Sequence, residues 1–246
     1  MIKKFKPLIL NFRLFYWLAF FLSIGQLSLG QQKIDGIGQL RLGMRIEQIY
    51  DLLAIKKIKV VTNGDKDAER ELYVGIKHHP VLLKADTTKS FLPSDWNISP
   101  CPDVQIMKVP EYKVAGIDIS QLELTFYKNS LVKLVINAPS SEFIDAFKAK
   151  YGNGNLEVKT DTAKCSRRFG GDFEAEEHTY TTTWRSSDDS VSIYYIASDY
   201  RNSSCEQQYL TVFSIDNLTA LRPMIICGKA MIERRQRHSK DALKDL

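Results

Sequence analysis

Hydrophobic spacing changes along this chain from alternation to helical period and back. In residues 37–53 (IGQLRLGMRIEQIYDLL), Ile37, Gln39, Leu40 and Leu42 alternate. Ile46, Ile49, Tyr50 and Leu53 then recur at i, i+3, i+4 and i+7, the stripe of an amphipathic helix. Gly43 is the break between this short strand and the helix, and Lys56 and Lys57 complement the helix dipole at its C-terminal end. Residues 62–71 read as a charged loop. Five of the eight prolines fall between Tyr73 and Pro110. Proline breaks helix interiors and central strands, so that stretch reads as a long insertion or interdomain passage with one or two short strands, such as Leu72–Lys77.

From Ile117 the pattern is regular. Leu122, Leu124 and Phe126 alternate with polar neighbours, and a second run, Leu131–Asn137, follows Lys128-Asn129. Two alternating runs around such a pair predict a β-hairpin with a tight turn. Ser140 and Ser141 cap a helix whose buried face is Phe143, Ile144, Phe147 and Tyr151 and which Gly152 ends. Three strands are expected after it, at Tyr180–Arg185, Val191–Ala197 and Tyr209–Ile215. The fold expected is α+β: an antiparallel sheet with helices packed on one face, in as many as two tandem helix–sheet units. The organisation read from the sequence is an export signal at 1–30, an N-terminal helix–sheet unit with a Pro-containing insertion at 31–110, an antiparallel sheet with its helix 140–151 at 111–220, and a C-terminal segment with a charged tail at 221–246.

The N-terminus alters the picture of charge and location. Lys3, Lys4, Lys6 and Arg13 precede an apolar run of eleven residues, Leu14–Ile24, and Ser28 and Gly30 suit cleavage before Gln31. The run is well short of the roughly 20 residues a spanning helix needs. Residues 1–30 carry four of the five net positive charges. The remaining chain is near neutral and lacks the concentrated positive field that nucleic-acid binding requires. The expected location is exported, periplasmic or secreted, with no membrane span after cleavage. Four cysteines, Cys101, Cys165, Cys205 and Cys227, read as disulfides in an oxidising compartment, with Cys165–Cys205 and Cys101–Cys227 the favoured pairing. No C-x-x-C spacing is present, so no metal centre and no cofactor is expected.

Familiar catalytic motifs are missing: there is no G-x-S-x-G, H-E-x-x-H, Walker loop or G-x-G-x-x-G after a strand. YGNGN (151–155) reads as a helix cap and turn. Asn63, Asp65, Asp67 and Glu69 alternate like half a calcium loop, but Ala68 and Val74 stand where Gly and Glu are wanted. The acidic loop 172–178, with Asp172, Glu174, Glu176, Glu177 and His178, could hold a metal or do acid–base work. Asn97, Asn202 and Asn217 fit the glycosylation pattern.

The order GQLRLGM, helix, hairpin, helix ending in KYG, then strands with a central Trp and a final LTVF resembles exported bacterial α+β proteins. Beta-lactamase inhibitor proteins and small outer-membrane assembly lipoproteins share such helix-plus-sheet units. The resemblance covers 37–53 and 120–216. Arg45 follows Gly43-Met44 where those families carry a Ser or Thr cap, and there is no lipobox cysteine, so no lipid anchor and no functional residue carries over. The leading expectation is a non-enzymatic binding protein whose protein or small-molecule partner meets aromatic residues on a sheet face. Tyr180, Trp184, Tyr194, Tyr195, Tyr200 and Tyr209 are the candidates, with Trp184, Tyr194, Tyr195 and Tyr209 foremost. The rival is a secreted hydrolase or metal-dependent enzyme using 172–178. A small-ligand carrier is a third class and would need an enclosed apolar cavity.

Overall fold

A computed structural model describes residues 33–62, 79–85, 99–166, 171–186 and 189–242. The expected signal, the strand Leu72–Lys77, the calcium-like alternation, His78 and Asn97 lie outside the described residues.

Eleven strands and three helices appear among the described residues. The strands are β1 (Gly36–Ile37), β2 (Leu40–Arg41), β3 (Lys59–Thr62), β4 (Val81–Lys84), β5 (Val104–Val114), β6 (Ile117–Tyr127), β7 (Ser130–Asn137), β8 (Asn155–Ser166), β9 (Asp172–Arg185), β10 (Val191–Arg201) and β11 (Gln207–Asn217). The helices are α1 (Ile46–Leu52), α2 (Ser141–Tyr151) and α3 (Leu218–Ala242). Nine strands form one mixed sheet in the order β3-β4-β5-β6-β7-β11-β10-β9-β8, and β1 and β2 pair separately. All neighbours in the large sheet are antiparallel except β3 and β4.

This corrects the expected fold. The chain is mostly β, the sheet is mixed, and a single sheet stands in place of tandem units. The helices also divide between its two faces. On the front face, Ile46 and Ile49 of α1 and Phe143, Ile144 and Phe147 of α2 pack with Met107, Leu122, Leu124, Ile136, Ile193 and Phe213. On the back face, Met224 and Cys227 of α3 lie against Val61, Val81, Leu83, Val104 and Ile106. Both faces of β4–β7 are therefore buried, which is why Leu131–Ile136 is nearly continuously apolar.

The local elements expected at 117–151 form for the reasons their residues supply. Lys128 and Asn129 both take positive φ (49° and 66°), the conformation of a two-residue hairpin turn. The Phe143 N–H donates to Ser140 Oγ at 3.2 Å, the N-cap bond of α2, and Gly152 (φ 86°) ends that helix. Arg45, preceding α1, has its N–H satisfied by Gln48 Oε1 at 2.8 Å, while Asn129 Nδ2 donates to the Glu47 carboxylate at 2.9 Å and ties the helix start to the hairpin turn.

Of the stretch read as an irregular insertion with one or two short strands, the described residues 79–85 and 99–110 hold β4 and the first part of β5. Its last proline, Pro110, lies inside β5. β4 reaches only as far as Lys108, paired with Val81, so the lost N–H of Pro110 falls beyond the span in which β5 has neighbours on both sides. β8 was not expected at all. The apolar piece and the charged tail as far as Ala242 form one helix with Pro223 inside it. That helix starts directly from β11, with the Ala220 N–H donating to Asn217 Oδ1 at 3.0 Å.

Two disulfides fasten the sheet, and they are the favoured pairs. Cys101–Cys227 holds α3 to the loop before β5 with a Cα–Cα distance of 5.5 Å, and Cys165–Cys205 holds β8 to the β10–β11 turn at 5.7 Å. They span 126 and 40 residues. Loop-closure entropy puts their stabilisation at about 5 and about 4 kcal/mol respectively. Paired Cys→Ser variants compared by urea unfolding should therefore show the larger loss for Cys101/Cys227. A larger loss for Cys165/Cys205 would mean that loop closure is not the governing term.

Candidate functional site

The large sheet is longer than its cover. α2 packs over the end of the sheet where β7 meets β11. Phe147 sets its ring against Trp184, Phe213 and Tyr151 with centroids 5.0, 4.8 and 4.6 Å apart, and Phe143 meets Phe213 edge-on at 5.1 Å. Strands β8–β11 continue beyond that cluster by about half their length or more, and on that extension no described helix covers their front face.

Register shows which side chains share this face. Directly paired residues point the same way. One row is Leu156, Thr182, Tyr195 and Phe213. The next is Val158, Tyr180, Ala197 and Thr211, and the one after is Thr160, His178, Asp199 and Tyr209. Four large side chains here are exposed: Tyr209 by 76%, Leu156 by 64%, Val158 by 51% and Tyr180 by 42%. Leu156, Val158 and Tyr180 adjoin one another on β8 and β9, while Tyr209 stands on β11 with Ala197 and Asp199 of β10 in between. Adjoining exposed apolar side chains distinguish a recognition surface from scattered ones.

The sequence-expected binding residues separate. Trp184 is only 5% exposed, and its Nε1 donates to the Gly152 carbonyl at 2.7 Å, so it is a core residue under α2. Gly154, at φ 71°, lets the chain pass so close that a Cβ there would lie 2.7 Å from the Thr183 carbonyl. YGNGN is thus the cap and turn it was read as, and also a close crossing. Tyr194 lies on the back face, opposite Ser214, and receives the Lys133 ammonium at 3.4 Å. Tyr195 and Tyr209 share the front face, with Tyr195 half-buried at the edge of the core. Tyr200, exposed, has the parity of the back face. Leu156 and Val158 were missed, although their alternation with Glu157 and Lys159 was a strand signal.

The acidic segment 172–178 is not a loop. It is the first half of β9, so its side chains alternate between faces. Asp172, Glu174, Glu176 and His178 have one parity and Phe173, Ala175 and Glu177 the other. Glu177 accepts the Arg201 N–H at 2.5 Å. His178 approaches Asp199 (Nδ1 to Oδ1, 3.5 Å) and Glu176 (Nε2 to Oε2, 3.8 Å), while its ring stacks on Tyr180 at 6.2 Å. Among the described residues no group of three or more His, Cys, Asp or Glu is placed to hold a metal ion. His79 is exposed beside β4.

A second polar group lies buried on the back face. Lys133 Nζ is 3.5 Å from Asp216 Oδ2, and the Ser214 hydroxyl bonds the same carboxylate. Burial would lower the Lys133 pKa, but Asp216 and Tyr194 outweigh it and raise the pKa above the ordinary lysine range. A lysine held protonated is no general base, and Ser214 is fully buried. This set is a lock across the β7–β11 pairing. Lys133→Met leaves the Asp216 carboxylate without its cation and should cost about 2 kcal/mol in urea unfolding. Because the folded pKa is raised, the lysine's contribution is full below its ordinary pKa of 10.5 and lost as pH climbs through the raised value.

Asp199 titrates in the opposite sense. Its carboxylate accepts the His178 backbone N–H at 2.6 Å, the main reason its pKa lies below the ordinary 3.8, with the His178 ring a smaller contributor. Its stabilising effect is present above 3.8 and lost as pH falls through the depressed value. An NMR titration of Asp199 should keep a lowered midpoint in His178→Ala, which retains the N–H. A midpoint restored to the ordinary value would assign the effect to the ring instead.

Comparison with protein-family models, with curated proteins and with solved structures finds no match for this chain.

Proposed function

We propose that this chain is an exported, non-enzymatic binding protein whose recognition surface is the uncovered front face of β8–β11. The observation that carries this reading is the exposure of Leu156, Val158 and Tyr180 side by side on that face, with Tyr209 exposed on the same face across β10. Tyrosine presents a large, rigid contact at low entropic cost, and it is enriched where protein surfaces meet. Thr160, His178 and Asp199 supply a polar margin with hydrogen-bonding capacity. An open sheet face fits a broad protein surface better than a small ligand, which needs enclosure. The arrangement of His178 gives the hydrolase alternative little support: Asp199 on the next strand is held by the His178 backbone N–H, Glu176 is exposed, and among the described residues the contacts of His178 include no nucleophile. Export is supported by the signal-like N-terminus and by two disulfides, which persist in oxidising compartments. Among the described residues no helix is long and apolar enough to cross a membrane.

Changing Tyr180 and Tyr209 together to Ser should barely alter thermal stability, since both side chains extend beyond the core. The same change should weaken capture of the partner from an extract of the native host at least tenfold, about 1.4 kcal/mol. Undiminished capture by a correctly folded double variant would remove this surface as the site.

A further inference from the structure

The sheet ends in two unlike edges. β3 is described over four residues, Lys59 to Thr62. β8 runs for twelve residues, and every position from Asn155 to Thr162 is exposed. Among the described residues β8 has no second neighbour. Such an edge is a template for another strand, and proteins that stay monomeric blunt theirs with proline, bulges, very short strands or charged side chains. β8 holds no proline, and its pairing with β9 runs unbroken from Asn155–Thr183 to Ser166–Asp172, so its charges are the one such device it carries. Its far end is tied to the β10–β11 turn by Cys165–Cys205.

The edge carries charge of alternating sign on one face. Glu157, Lys159 and Asp161 all have back-face parity, and Lys159 Nζ lies 2.6 Å from Asp161 Oδ2. If β8 pairs antiparallel with β8 of a second copy around a two-fold axis normal to the sheet, only even registers keep each side chain on its own face. An axis at Lys159 sets two lysines against each other, and one at Asp161 sets two aspartates. An axis at Thr160 sets Lys159 opposite Asp161 of the second copy, twice, and Thr160 opposite its own equivalent. That register also uses the strand from Asn155 to Cys165, so on the order of ten main-chain hydrogen bonds form. A neighbouring axis at Val158 matches Glu157 with Lys159 but engages a shorter stretch.

We propose that the protein forms a two-fold dimer through β8, in the register centred on Thr160, joining two nine-stranded sheets into one. The occupant is a second copy because the charge pattern is complementary to itself in this register and repulsive in the registers immediately on either side. The dimer sets the two front-face patches on the same side of the joined sheet, on either side of the Thr160 pair. This inference rests on the edge strand and its charges, and it stands whether or not the front face binds a partner.

Sedimentation equilibrium of the full mature chain across the micromolar range tests it. The wild-type protein should show twice the monomer mass, and Lys159→Glu, which sets two acids against each other across the axis, should shift it to the monomer mass. The exchanged pair Lys159→Asp with Asp161→Lys should restore the dimer, with circular dichroism confirming that all three remain folded. A wild-type protein that is monomeric throughout would overturn the proposal, as it would if the edge serves a strand from another protein. A dimer that persists in Lys159→Glu, or that Glu157→Lys restores and Asp161→Lys does not, would overturn the Thr160 register.

Discussion

The pairing of β7 with β11 is the constraint on which the rest depends. β3 to β7 follow one another across the sheet in chain order, and β8 to β11 run back toward them, so among the described strands the two halves pair where Lys133–Asn137 meets Val212–Asp216. Each side of that seam is secured differently. On the front, Phe143 and Phe147 of α2 close over Phe213 and Trp184. On the back, Lys133, Asp216, Ser214 and Tyr194 form a charged and hydrogen-bonded lock. Apolar packing supplies most of the free energy, and the polar lock sets the register, since slipping β11 by one residue would carry Asp216 to the apolar face.

From this seam follows the uneven covering of the sheet. α2 is eleven residues long, about 16 Å at the helical rise, and it covers the seam and little more. β8 to β11 run on past it. The bare extension keeps its order through ladder hydrogen bonds, the Cys165–Cys205 cross-link and small polar contacts such as Thr179 to Ser198 at 3.0 Å. Exposed tyrosines and aliphatics on such a frame are displayed by strands rather than loops, which holds them in fixed spacing. That rigidity favours recognition by lowering the entropy lost on contact.

Some of this was legible in the sequence, and the reasons for the rest are physical. α2 and the β6–β7 hairpin could be read because cap, period and turn residues agree in each: Ser140 with Phe143, Ile144 and Phe147, and Lys128-Asn129 between alternating runs. β8 could not be read as easily, because a strand exposed on both faces and along an edge carries no core-facing apolar series. Only Leu156 and Val158 alternate, and the rest is charge and Thr. Pro110 is tolerated inside β5 because it lies on the part of that strand which β4 does not reach. The segment 172–178 read as a loop because its acidic residues outnumber the apolar ones, yet β9 needs little apolar character where nothing covers it. As for the candidate site, Tyr194 and Tyr195 are sequence neighbours, so strand geometry alone places them on opposite faces and rules out a single cluster. Which tyrosines lie beyond α2 depended on where that helix ends relative to the sheet, a tertiary fact.

The central claim is that one sheet, anchored at the β7–β11 seam, holds an ordered and uncovered extension. Native-state hydrogen exchange tests it most directly. Amides of Leu134, Ile136, Phe213 and Ile215 should exchange only through global unfolding, and those of Tyr180, Ala197 and Thr211 should remain strongly protected though less so. Exchange of the β9–β11 extension at the rate of unfolded chain, or opening of β5–β7 and β9–β11 as two independent units, would contradict the account.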